Sequence, residues 1–213
     1  MSIPGNGNGN GLPMRSDFDA IAQWVRPGSR VLDLGCGDGS LLRSLKQTRN
    51  VTGYGVDISD DNVLACVTNG VNVIQSDLEA GLSGFESGSF DYVILSQTLQ
   101  AMKHTERLLR EILRVGREGI VSFPNFGYWH ARLQVLGGTM PVSRDLPYQW
   151  YDTPNIHLFT IEDFEIFCRG HRLRILDRVV LTAGRRVTFA PNLLGALAVY
   201  RLDQAHGAAA VGA

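Results

Sequence analysis

Residues 30–40 read RVLDLGCGDGS, and the fold turns on them. Val31, Leu32 and Leu34 form a short apolar strand that runs into a turn with three glycines, Gly35, Gly37 and Gly39. Glycine accepts positive φ, and without a Cβ it lets a ligand lie against bare backbone. The spacing is G-x-G-x-G, whereas the dinucleotide fingerprint G-x-G-x-x-G requires glycine where this chain has Ser40. Asp33 and Asp38 flank the turn. Two carboxylates repel a pyrophosphate and suit a ligand with a cationic centre, such as an ammonium or a sulfonium. A nicotinamide dinucleotide is disfavoured on both counts.

Working outward, strand and helix signals alternate. Phe18, Ile21, Trp24 and Val25 have helical spacing over residues 17–25, stopped by Pro27-Gly28, with Phe18 and Trp24 expected in the core. Helices are expected over 40–47 and 60–68, the latter closed by Asn69-Gly70. Strands are expected over 52–57, 71–75 and 119–123, and over 90–96, whose apolar run suits a strand buried on both faces. Leu108, Leu109, Ile112, Leu113 and Val115 place a helix over 99–115. Thr160 caps a further helix with Asp163 three residues on. Residues 173–182 and 194–202 read as two strands with a loop and no helix between them, an antiparallel pair at the sheet edge. The fold class is therefore α/β, a doubly wound Rossmann-like sandwich with a seven-stranded, mostly parallel sheet and an antiparallel edge hairpin. Ligands of such sheets bind outside the carboxyl ends of the strands.

Acids stand at those ends. Asp57 closes the second strand, where a carboxylate can accept both hydroxyls of a ribose, although it or Asp60 can equally cap the next helix. As an acid at a strand end, Asp57 is expected to matter more for ligand binding than for folding. Asp77 follows the third strand and can accept from an exocyclic amine while Leu78 packs on an aromatic base; alone, Asp77 reads as a turn residue. An amino-acid end, a ribose and an adenine together describe S-adenosylmethionine (SAM). In these motifs the chain resembles class I SAM-dependent methyltransferases. The residues expected to hold SAM, or S-adenosylhomocysteine, are Asp33, Gly35, Cys36, Gly37 and Gly39, then Asp57 and Ile58, Asp77 and Leu78, and Ser96 after the fourth strand.

Four further stretches carry a narrower resemblance: SQTLQ at 96–100, VSFPNFGYW at 121–129, LPYQWYDTPNIH at 146–157 and LFTIEDF at 158–164. The class I likeness covers roughly residues 15–202, and with these stretches the chain is similar to the MetW family of methionine biosynthesis proteins. The resemblance implies a cytoplasmic SAM-binding protein that acts with a homoserine O-acyltransferase of the MetX type and supports acylation of homoserine. The alternative is a free-standing methyltransferase for an oxygen, sulfur or carbon acceptor. The Asn/Asp-Pro-Pro-Tyr run of many amino-group methyltransferases is missing after the fourth strand, and no catalytic residue is assigned.

Composition bounds the rest. A chain of 213 residues with 44% hydrophobic and 19% charged residues makes one domain, expected over 15–203, with flexible tails over the Gly/Asn-rich 1–14 and the small-residue 204–213. A net charge of −1 makes no case for nucleic acid or a membrane surface. Neither a signal peptide nor a membrane-spanning run is recognised. Cys36, Cys66 and Cys168 are far apart in sequence, which offers no disulfide framework and no metal spacing. Residues 124–157 read as a lid or acceptor wall, because 138–156 has no period and long loops are usually functional. His130 or His157 can serve there as a base or as a structural hydrogen-bonding histidine. Arg144, Asp145 and Asp152 are free to pair with one another or to hold a partner. Arg172, Arg174, Arg178, Arg185, Arg186 and Arg201 read either as solvated edge positions or as a face for an acidic partner.

Overall fold

The structure, a computed structural model, describes residues 15–204. In chain order its elements are α1 (Ser16–Trp24), β1 (Arg30–Leu34), α2 (Ser40–Arg49), β2 (Thr52–Asp57), α3 (Asp60–Thr68), β3 (Val73–Gln75), β4 (Phe90–Ser96), α4 (Thr105–Val115), β5 (Gly116–Pro124), α5 (Trp129–Leu136), α6 (Ile161–Gly170), β6 (Leu173–Thr182), β7 (Arg185–Arg186), α7 (Pro191–Leu194) and β8 (Leu197–Gln204). Single 3-10 turns lie at Leu78–Ala80 and Leu99–Ala101. The expected tails fall outside the described residues, apart from Gln204, the last residue of β8.

One eight-stranded sheet runs β3-β2-β1-β4-β5-β8-β6-β7. The first five strands in that order are parallel, while β8 is antiparallel to both β5 and β6. The fold class is that of the sequence reading. The eighth strand is the two-residue β7, which pairs only with the end of β6.

Alternation along the central strands builds two cores. Val93 and Leu95 of β4, with Phe123 and Tyr200, pack under α4 and α6. Tyr92 and Ile94 face the other way with Ile120 and Val199, under Ile21 of α1 and Leu42 and Leu45 of α2. Phe18 is buried as expected; Trp24 is half-buried, its indole N–H donating to Asp177 at 3.1 Å.

Three elements depart from expectation. The helix read over 99–115 begins at Thr105, because the Glu79 carboxylate reaches across to the Lys103 amide at 2.6 Å and the His104 ring at 2.7 Å, and His104 leaves helical geometry at φ −107°, ψ 58°. Helix α5 lies inside the segment read as a lid or acceptor wall, where no helix was expected. The loop read between the last two strands contains β7 and the short α7, which starts on Pro191. The capping box at α6 forms as read: Asp163 N donates to the Thr160 hydroxyl at 3.2 Å, and Thr160 N donates to the Asp163 carboxylate at 2.9 Å.

Candidate functional site

The crevice lies at the carboxyl ends of β1 to β4. The amides of Gly35 and Cys36 both donate to the Val56 carbonyl, at 2.8 and 3.1 Å, which stitches the glycine turn to the end of β2. All three glycines are left-handed, with φ of 64°, 56° and 77°. They do different work. A Cβ at Gly35 would meet the Thr98 side chain at 2.7 Å, and one at Gly39 would meet Cys66 Sγ at 3.0 Å, so these two glycines permit packing. A Cβ at Gly37 would meet nothing within 4 Å, so Gly37 presents bare backbone to open space. Asp38 is turned to α2, where its carboxylate accepts from the Ser40 amide and hydroxyl at 3.0 and 2.6 Å.

Asp33 is 2% exposed, and its Oδ2 has no hydrogen-bond partner. Burial pushes its carboxyl up to about 7; Arg15 pulls the other way, and Asp17 and Asp57 add to the rise. A buried carboxylate oxygen without a partner can accept from a cationic donor.

Asp57 departs from the expectation that it matters more for binding than for folding, because it is buried and bonded within the fold. It is 7% exposed; Oδ2 accepts the Gly37 amide at 2.9 Å, and Oδ1 accepts the Ser59 amide and the Asn62 side chain, each at 3.0 Å. A carboxylate offers about four acceptor sites, so about one is left for a ligand. Ile58 is 62% exposed at the same strand end. Asp77 is exposed and caps the following 3-10 turn through Glu79 N at 2.9 Å, and Leu78 is buried in the core.

Ser96 is drawn into a polar cluster that sequence reasoning missed. The Asp17 carboxylate, fully buried at the start of α1, accepts from the hydroxyls of Ser96 at 2.6 Å and Ser122 at 2.8 Å and from Arg15 at 2.9 Å. Next to it Gln97 holds φ 52°, a left-handed conformation that a side chain strains to adopt, with its amide on the Ser122 carbonyl at 2.9 Å. That strain falls at the end of β4, beside the crevice, and no local sequence signal marks it.

The other candidates are placed as follows. His130 is exposed and meets the Gln134 side chain, at 3.2 Å, and neighbouring rings. His157 lines a cavity of about 890 Å³ between α4 and α6, floored by Leu99, Phe164 and Phe167. None of the ten residues expected to hold the cofactor lines that cavity. Asp145 is half-buried, and Asp152 accepts the Gln149 amide at 2.7 Å. Most of the late arginines are spoken for: Arg174 pairs with Asp203, Arg178 with Glu165, Arg201 with Glu118 and Asp177, and Arg186 bonds Gln23. Among the described residues no group of three or more His, Cys, Asp or Glu side chains is arranged to hold a metal ion, and no helix is long and apolar enough to cross a membrane.

Comparison with known proteins bears on the family and the fold. The family model for "Methionine biosynthesis protein MetW" matches residues 15–202. The "Bifunctional methionine biosynthesis protein MetXA/MetW" of Rhodopirellula baltica is 38% identical over 162 residues, 71% of this chain and 26% of that protein. The "Ubiquinone/menaquinone biosynthesis C-methyltransferase UbiE" of Ectopseudomonas mendocina is 36% identical over 105 residues, 45% of this chain and 40% of that protein. The chain thus spans well under half the length of either relative. Among solved structures, a SAM-dependent methyltransferase from Archaeoglobus fulgidus superposes with a TM-score of 0.66 at 16% identity, covering 89% of this chain and 92% of its own, a likeness of fold alone.

Proposed function

The chain belongs to the methionine biosynthesis protein MetW family, with the class I SAM-dependent methyltransferase fold, and from that premise we propose that it is a cytoplasmic SAM-binding protein that acts with a homoserine O-acyltransferase of the MetX type to support acylation of homoserine. The fused relative supports the pairing. A protein named for both MetXA and MetW keeps the two parts at high effective concentration.

The observation that carries the SAM reading is the orphaned Asp33 carboxylate beside the open backbone of Gly37. The residues fit the cofactor. Asp33 lies where a cationic amino-acid end is stabilised by charge. Gly37 leaves room for the ligand to touch main chain, and Asp57 keeps an acceptor site for a ribose hydroxyl. Ile58 offers an exposed apolar face to a purine, and Asp77 retains an oxygen for an exocyclic amine. Bound SAM would supply an electrophilic methyl group; the chain's own contribution is binding and orientation. Among the described residues, Asp33, Gly37 and Asp57 have no histidine or lysine as a hydrogen-bonding partner, which favours a binding role over proton transfer.

Calorimetric titration with SAM and S-adenosylhomocysteine, followed by homoserine acylation rates with and without this protein, tests the proposal. The expected result is saturable binding and a faster acyltransferase. Absence of nucleoside binding, or unchanged acylation, rejects the corresponding half. The open Gly37 backbone also favours a second reading, a free-standing methyltransferase for an oxygen, sulfur or carbon acceptor. Transfer of label from methyl-labelled SAM to an acceptor in cell extract would support that reading.

A further inference from the structure

The excursion between Phe126 and Phe159 leaves and re-enters the fold at one point, where the Phe126 amide donates to the Phe159 carbonyl at 3.2 Å. What it turns outward is apolar. Trp129, Leu133 and Leu136 of α5 recur at i, i+4 and i+7, one stripe of the helix, and are 42%, 54% and 84% exposed. Ala131 is the buried residue of this helix. Farther along, Trp150 and Tyr151 are 73% and 71% exposed and pack edge to face. The segment is braced, because the Gln134 side chain bonds both the amide and the carbonyl of Val142, at 2.7 and 3.1 Å.

Residues 129–158 carry only four charged side chains, Arg132, Arg144, Asp145 and Asp152, below the 19% of the whole chain. Aromatic, aliphatic and charge-poor is the composition of the buried centre of a protein interface. A small ligand takes concave, enclosing walls, whereas an outward helix stripe is convex. A membrane surface takes a helix with a basic polar face; α5 has one arginine, Arg132, and its guanidinium is turned to the Gly127 carbonyl at 2.6 Å.

We infer that the outward stripe of α5, together with Trp150 and Tyr151 of the same excursion, is the surface that docks on the acyltransferase. This rests on the partner reading above and adds the surface to it. The occupant is argued from the fused relative. There the part matching this chain is 26% of the polypeptide, so a much larger body is tethered to the same fold.

The test uses the full chain and a purified MetX-type homoserine O-acyltransferase, with titration calorimetry and light scattering. Leu133→Lys and Leu136→Lys alter exposed side chains. Each is expected to weaken association by about tenfold or more, with SAM affinity and melting temperature unchanged. Leu64→Lys on α3, 67% exposed, should bind as wild type does. Wild-type binding with undiminished affinity in both α5 variants overturns the surface and leaves the partner reading standing. A patch that proves to hold two copies of this chain together, or α5 variants that lose SAM instead, also overturns it. No association of the wild type rejects the partner reading, and this surface falls with it.

Discussion

The Asp57 carboxylate accepts the Gly37 amide at 2.9 Å, so the acid at the end of β2 also braces the glycine turn after β1. The same carboxylate holds the first turn of α3 through Ser59 and Asn62. A group so placed couples ligand binding to the local fold.

Asp57→Ala should therefore lower both. Loss of a buried charged acceptor with three protein donors is expected to cost about 3 kcal/mol of stability, together with a clear loss of SAM affinity. Denaturant unfolding beside calorimetry checks this. Lost binding with wild-type stability would show that the bracing bonds carry little energy.

Gly37→Ala should separate the two effects. The residue sits at φ 56°, where a Cβ costs about 1–2 kcal/mol, yet the new methyl meets no protein atom within 4 Å. We expect a modest fall in melting temperature and a loss of SAM affinity of about tenfold or more, because the methyl occupies ligand space. A folded variant that still binds SAM normally would remove Gly37 from the site.

Asp33 should make the site pH-dependent. Its carboxyl titrates near 7 in the fold against 3.8 in an unfolded chain. Between those values the folded state holds the extra proton, so this residue's contribution to stability falls as pH rises from about 4 to 7 and stays low above. A cationic ligand has the opposite preference, since it needs the ionised form. SAM affinity should rise from pH 6 to pH 8, by up to about tenfold per unit below 7. Melting curves without ligand and titrations across that range should slope in opposite directions, and Asp33→Asn should flatten both. Parallel slopes would contradict the assignment.

The cysteines should be inert in the native state. Cys36 and Cys66 Sγ lie 3.7 Å apart under the glycine turn as free thiols, and Cys168 lies on the buried face of α6. Burial pushes all three thiols up, Cys168 to about 12. A thiol reagent such as DTNB should label none of the three before unfolding and all of them after it. Fast labelling of the folded protein would show that the glycine turn opens readily.

Much of this molecule was legible along the chain. The alternation of apolar runs, the glycine turn at 35–39 and the order of Asp33, Asp57 and Asp77 are local patterns. Strand and helix periods depend on neighbours a few residues away, and the right-handed crossover rule converts their order into the sheet. The Thr160–Asp163 capping box is a four-residue device and formed as read. Helix α5 escaped because apolar residues fall on both its faces, Ala131 buried and Trp129, Leu133, Val135 and Leu136 exposed, so no single period stands out. The late start of α4 at Thr105 escaped because Glu79, from another segment, claims the Lys103 amide.

What only the tertiary structure decided are the meetings of distant groups. Ser96 is joined to Asp17 across 79 residues and Ser122 to Asp17 across 105, Cys36 comes to rest against Cys66, and Asp57 is turned into a brace for Gly37. The sequence alone determined where the strands end and which side chains arrive there, because that follows from periodicity and turn chemistry. Which of those side chains remain open to a ligand was settled by packing, because a buried polar group takes whichever donor the assembled fold brings within reach.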